Sequence, residues 1–274
     1  MSKIISAALI GLLLSWSVTA MSAAGNVNAA EPLPPELQRL EQQARKGDVA
    51  AQSELGMAYV LGKRISRDYQ QARDWLSQAA EKGDAVAQAL LGYLYRDGLG
   101  IGRDAAAAAR WYKAAAAQGH VNAQTNLALL YKNGEGIPRN YQEAMTWFKK
   151  AAEQGDVYAQ ANLGLMYEEG LGIPRNYGSA AQWYGQAAEH NHELSQRKLA
   201  HLYETGQGVP QDNIKAYTWY AIAGVWKDGD TLAMDDPRLK LSTRMSPEQI
   251  EEANQAAMTW WEKHFKTDDG EPAP

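Results

Sequence analysis

From Val121 to Gln154 the apolar residues fall into two helical registers separated by a short polar break. Ala123, Leu127 and Tyr131 recur every four residues, and Ala144, Trp147, Phe148, Ala151 and Ala152 then mark one face of a second segment. Spacings of three and four place side chains on one side of an α-helix, so the stretch predicts two amphipathic helices. The break between them, NGEGIPRN, carries its own stop and start signals. Gly134 suits a left-handed helix end, Pro138 forbids continuation, and Asn140 with Glu143 reads as a capping box.

The same arrangement recurs with a period of 36 residues and without insertion. Trp stands at 75, 111, 147, 183 and 219, Tyr at 59, 95, 131, 167 and 203, Leu at 55, 91, 127, 163 and 199, and Gly at 62, 98, 134, 170 and 206. A fixed period of this size is the mark of stacked supersecondary units, each burying its apolar face against its neighbours. The Trp column lies on the predicted buried face of each second helix, so Trp147→Ala is expected to remove about 3–5 kcal/mol. Asn191 replaces the leading glycine of the fifth unit, an acceptable residue for a left-handed position. Residues 30–46 read as a lead-in and half-unit that caps the array, 47–226 as five units, 227–265 as a C-terminal capping region, and 266–274 as a disordered tail. Within the capping region Ser246, Pro247 and Gln249 start a last helix whose apolar face carries Ile250, Ala253, Ala257, Trp260, Trp261 and His264.

Composition narrows the function. A net charge of −5 argues against a nucleic-acid binder relying on bulk charge, and the absence of cysteine removes disulfides and thiolate metal sites. Residues 1–29 read as a signal peptide: Lys3, an apolar run from Ile4 to Leu14, then small residues with cleavage after Ala20 or, preferably, Ala29. The run is shorter than the ~20 residues of a membrane span, so no stable membrane insertion is expected after cleavage. The expected location is periplasmic or secreted.

The columns A-Q-x-x-L-G-x-x-Y-x-x-G-x-G, P-R-N-Y-x-x-A and W-Y-x-x-A-A-E-x-G resemble the Sel1-like repeat family, from Gly47 to about Trp226. The resemblance implies an all-α, right-handed α-solenoid of helix-turn-helix repeats related to tetratricopeptide arrays. It also implies an adaptor or scaffold role in protein complexes and, for many bacterial members, export. The disulfides of the family's cysteine-rich members have no counterpart here.

Candidate chemistry is sparse. Ser195-Gln196-Arg197-Lys198 matches S-x-x-K, the nucleophile motif of β-lactam-reactive serine enzymes, but the supporting motifs are missing and Gln196 is one member of a repeated Gln column. His190 and His192 flank a turn beside Glu189 and Glu193, and His192 occupies the helix-start position held by Asp48, Asp84 and Asp156. A polar turn is the better reading than a metal site, and no catalytic residue, metal or cofactor is expected. Arg67, Arg103, Arg139 and Arg175 form a column in the turns, expected to pair with acids such as Asp68 and Glu143.

The first helices give the strongest functional signal. With Ala159, Leu163 and Tyr167 buried, Leu165 lies nearly opposite, flanked by Tyr158 and Asn162; the same positions hold Tyr93, Leu129 and His201 in other units. Such a face, apolar and amide-lined on the concave side of a curved array, suits a protein or peptide partner. The expected partner-binding residues are therefore Tyr93, Leu129, Tyr158, Asn162, Leu165 and His201. The alternative ligands are a glycan or peptidoglycan fragment stacked on Tyr93 and Tyr158, and the third reading is a hydrolase built on Ser195.

Overall fold

The computed structural model describes residues 33–224 and 236–265. The expected signal peptide, the junction around Trp226 and the tail lie outside the described residues. Among these, the chain is helical throughout, with no strand. A lead-in helix α1 (Pro35–Arg45) precedes five helix pairs: α2 (Val49–Leu61) with α3 (Tyr69–Glu81), α4 (Ala85–Asp97) with α5 (Ala105–Ala117), α6 (Val121–Asn133) with α7 (Tyr141–Glu153), α8 (Val157–Glu169) with α9 (Tyr177–Glu189), and α10 (Glu193–Thr205) with α11 (Asn213–Gly224). A short α12 (Pro237–Ser242), absent from the sequence expectation, leads to α13 (Pro247–Phe265). This is an all-α solenoid of helix-pair repeats. The chain forms two compact units, residues 1–123 and 124–274.

Both helices of a repeat begin on a designed cap. Second helices start on Asp68, Asp104, Asn140 or Asn176, whose side chains accept backbone N–H groups of the first turn. The capping box expected at Asn140 is only half made, and Asp68 caps its helix in the same way. Their own N–H groups donate to the carbonyls of Tyr59 and Tyr131, at 3.2 and 2.9 Å, so the Tyr column also fixes the turn through its backbone. Ser246 does make the complete box: its N–H donates to Gln249 Oε1 at 2.9 Å and its Oγ accepts the Gln249 N–H at 3.3 Å.

The glycine column behaves as its spacing demands. Gly62, Gly98, Gly170 and Gly206 end their helices in the left-handed conformation, and Asn191 adopts φ 59° in place of the leading glycine. A second turn glycine carries a role that spacing alone did not reveal. A Cβ on Gly172 would stand 2.5 Å from Tyr141 Cβ, and one on Gly208 would stand 2.2 Å from the Tyr177 carbonyl carbon. Each such turn therefore rests on the start of the preceding repeat's second helix. Arg64 holds the equivalent place in the first repeat, at φ 65°, and its guanidinium pairs with Glu36 of α1 at 2.7 Å.

The core corrects one expectation. The Trp column is half-buried rather than central, and Trp147 carries Lys150 Nζ 4.2 Å above its ring. The residues one step further on, Leu76, Tyr112, Phe148 and Tyr184, are the deeply buried ones. Their size explains small residues opposite them: a Cβ on Gly56, Gly92 or Gly164 would lie within 2.5–2.8 Å of Leu76, Tyr112 or Tyr184. The Gln column stitches repeats together. Gln52, Gln88, Gln160 and Gln196 are buried and donate to the carbonyls of Ala44, Ala80, Ala152 and Ala188 at 3.0–3.3 Å. At the C-terminal end α13 covers α11 with Ala253 and Ala257, and Trp219 meets Trp260 edge-on at 6.1 Å.

Candidate partner-binding face

The first helices bring the expected residues onto comparable positions with unequal exposure. In residues 1–123, Tyr93 is half-buried against the cluster of Val60, Leu90 and Leu94, and Arg96 lies 5.5 Å from its ring centroid. Burial, followed by the charge of Asp97, pushes its phenol above the usual range. One ring face is thus occupied and the side chain belongs partly to the core, which weakens its use as a sugar-stacking platform.

In residues 124–274, Tyr158 is 40% exposed and meets the edge of His192 with ring centroids 5.7 Å apart. Leu194, one repeat further on in the same column, is 61% exposed. Leu129 and Leu165 are half-buried and His201 is exposed. Asn162 is half-buried and engaged: its Oδ1 accepts from Lys132 Nζ at 2.6 Å and its Nδ2 donates to the Tyr158 carbonyl at 2.8 Å. Asn162 therefore joins neighbouring first helices as well as lining the face. One repeat on, Lys198 pairs with Glu168 at 3.0 Å, and Glu168 also accepts from the Tyr184 hydroxyl at 2.5 Å. Burial, reinforced by that hydrogen bond, raises the Tyr184 phenol well above its ordinary value.

The other candidate groups fall elsewhere. Ser195 is fully buried, with its Oγ 2.9 Å from His192 Nδ1, while Lys198 turns to Glu168, so S-x-x-K builds no accessible nucleophile with a lysine base. His192 is a helix cap: Nδ1 accepts the Ser195 N–H at 3.2 Å. His120 does the same for Ala123 at 3.3 Å. No cluster of three metal-ligating side chains occurs among the described residues. The turn arginines depart from expectation: Arg67, Arg139 and Arg175 lie over Tyr69, Tyr141 and Tyr177 at 5.4–5.9 Å instead of pairing with Asp68 or Glu143. The tyrosine two residues on was the available signal.

These features define a class: a helical-repeat scaffold whose side chains are committed to caps, inter-repeat stitches and one partly open face. A family model for the Sel1 repeat matches residues 49–84, 85–120, 121–156, 157–192 and 194–224, and the chain belongs to the Sel1 repeat family. A Sel1 repeat protein from Oxalobacter formigenes is 32% identical over 83% of this chain and 91% of its own, with a TM-score of 0.67. The c5321 protective antigen of uropathogenic Escherichia coli, which displays the same repeat fold, is 28% identical over 83% of this chain, with a TM-score of 0.55; the match spans 56% of that antigen. No curated protein matches.

Proposed function

We propose that this chain is an exported scaffold that captures a protein or peptide partner on the concave face formed by its first helices. Sel1 repeat proteins are in general protein-interaction scaffolds. The observation that carries the reading is the exposure of Tyr158 and Leu194 beside half-buried Leu165, on helices whose opposite side supplies the core. Large apolar side chains left open on a preordered backbone bind with little loss of conformational freedom. Hot spots concentrate in a few such anchors.

The test is partner capture by cross-linking from an envelope extract. Tyr158→Ala combined with Leu165→Ala should weaken capture at least tenfold, about 1.4 kcal/mol, with helicity retained. Arg139→Ala with Arg175→Ala, on the turn edge, should leave capture nearly unchanged. The reverse ranking would move the binding surface to the turns. Export is checked separately: N-terminal sequencing should read from near Glu31, and an intact Met1 in the cytosol would exclude it.

A further inference from the structure

Neighbouring first helices within residues 124–274 are bridged by side chains thirty positions apart. One rung is the ion pair Glu168–Lys198 at 3.0 Å, where Glu168 also takes the Tyr184 hydroxyl. The rung before it is Lys132 to Asn162, a cation facing a neutral amide. The residue corresponding to Tyr184 there is Phe148, which offers no oxygen. No carboxylate among the described residues lies within 4.0 Å of Lys132 Nζ. Lys132 is half-buried, and desolvation pulls its ammonium below the ordinary lysine range, only partly offset by the charge of exposed Glu169. An ammonium has three N–H donors, and Asn162 takes one. The site thus holds a partly desolvated cation that faces an amide, with Leu129 one turn before Lys132 on its helix and Tyr158 and Leu165 one turn to either side of Asn162. A buried or half-buried charge gains most from a partner of opposite sign brought in dry. With a net charge of −5 the chain as a whole does not attract acids, so the preference is local.

We propose that this face selects a peptide segment bearing an Asp or Glu side chain next to apolar residues, with Lys132 and Asn162 receiving the carboxylate and Leu129, Tyr158 and Leu165 the apolar neighbours. This rests on the reading that the first-helix face binds a peptide, and it adds the chemistry of the peptide. The acidic side chain completes the Lys132 rung as Glu168 completes that of Lys198.

The experiment is selection of a displayed random-peptide library on the full-length protein, followed by affinity measurements with synthetic versions of recovered peptides. Recovered sequences should be enriched in Asp or Glu beside Leu or aromatic residues. Changing that acid to its amide should lower affinity at least tenfold on the wild-type protein and hardly at all on Lys132→Gln, and Lys132→Glu should redirect selection toward Lys and Arg. C-terminal amidation of the peptide should have no effect; a loss confined to that change would assign the site to a chain terminus and overturn the proposal. Should Lys132→Gln lose helicity, Lys132→Met and the acid-to-amide change on wild type carry the same decision. If peptides need Tyr158 and Leu165 but show no acid preference, or the acid matters equally without Lys132, the proposal fails and the binding face stands. If no peptide is recovered, or binding ignores Tyr158→Ala and Leu165→Ala, both fail.

Discussion

Two adjacent aromatics, Trp147 and Phe148, show what a repeated identity does and does not reveal. The Trp column is the most conspicuous in the sequence, yet Trp147 lies half-open under Lys150 while Phe148 is fully enclosed. Phe148→Ala should therefore cost about 3–5 kcal/mol, and Trp147→Ala about 1–2 kcal/mol, compared by urea denaturation. Equal losses would contradict the burial order. Periodicity could place both rings on the inner side of the helix; it could not say which of two neighbouring phases points at the next helix. The turn glycines offer a second contrast. Gly172→Ala adds a methyl 2.5 Å from Tyr141 at φ 73° and should destabilise by more than about 1 kcal/mol. Arg64→Gly relieves a left-handed arginine in the first repeat and should stabilise by up to about 1 kcal/mol, less the exposed ion pair with Glu36. Thermal melts of the two variants should move in opposite directions.

Helix boundaries were legible because caps and glycines are local chemistry, whereas the use of histidine as a cap was only partly so. His192 stands in an Asp position, but that its Nδ1 accepts the Ser195 N–H and also lies 2.9 Å from the Ser195 hydroxyl needed coordinates. Burial pushes the imidazoles of His120 and His192 below their ordinary value. A depressed folded pKa means that the unfolded chain takes up protons first. The stabilisation is present above about pH 6.5, the unfolded value, and is lost as pH falls from there through the folded pKa. Protonation also places a cation at a helix N-terminus, where the backbone dipole opposes it. Replacing both residues by Asp should flatten the fall in melting temperature between pH 7 and pH 5; parallel curves for variant and wild type would exclude the caps as its source. At the other end of the array, deleting Ser246 to Phe265 uncovers Tyr217, Ala221 and Trp219, so the truncated chain should aggregate or melt lower.

The fold as a whole could be read from one period of 36 because the same residue types recur at the same positions of each unit and form the same helix pair. The candidate face was legible only in outline. Helical phase identified Tyr158, Leu165 and Leu129 as turned from their own repeat, but Tyr93 sinks into a neighbouring helix and Asn162 is drawn into a rung with Lys132, contacts set by stacking rather than by phase. Stacking also governs how damage spreads. Helix α8 touches α7, α9 and α10, and α2 touches α1, α3 and α4, so within each unit these helices pack on neighbours close in sequence. In such an array stability is close to a sum of repeat and nearest-neighbour terms, and local opening need not unfold the rest. Phe148→Ala should therefore raise amide hydrogen exchange in α6–α9 by one to two orders of magnitude while α1–α3 exchange at wild-type rates. A uniform rise along the chain would show all-or-none unfolding and rule out nearest-neighbour energetics.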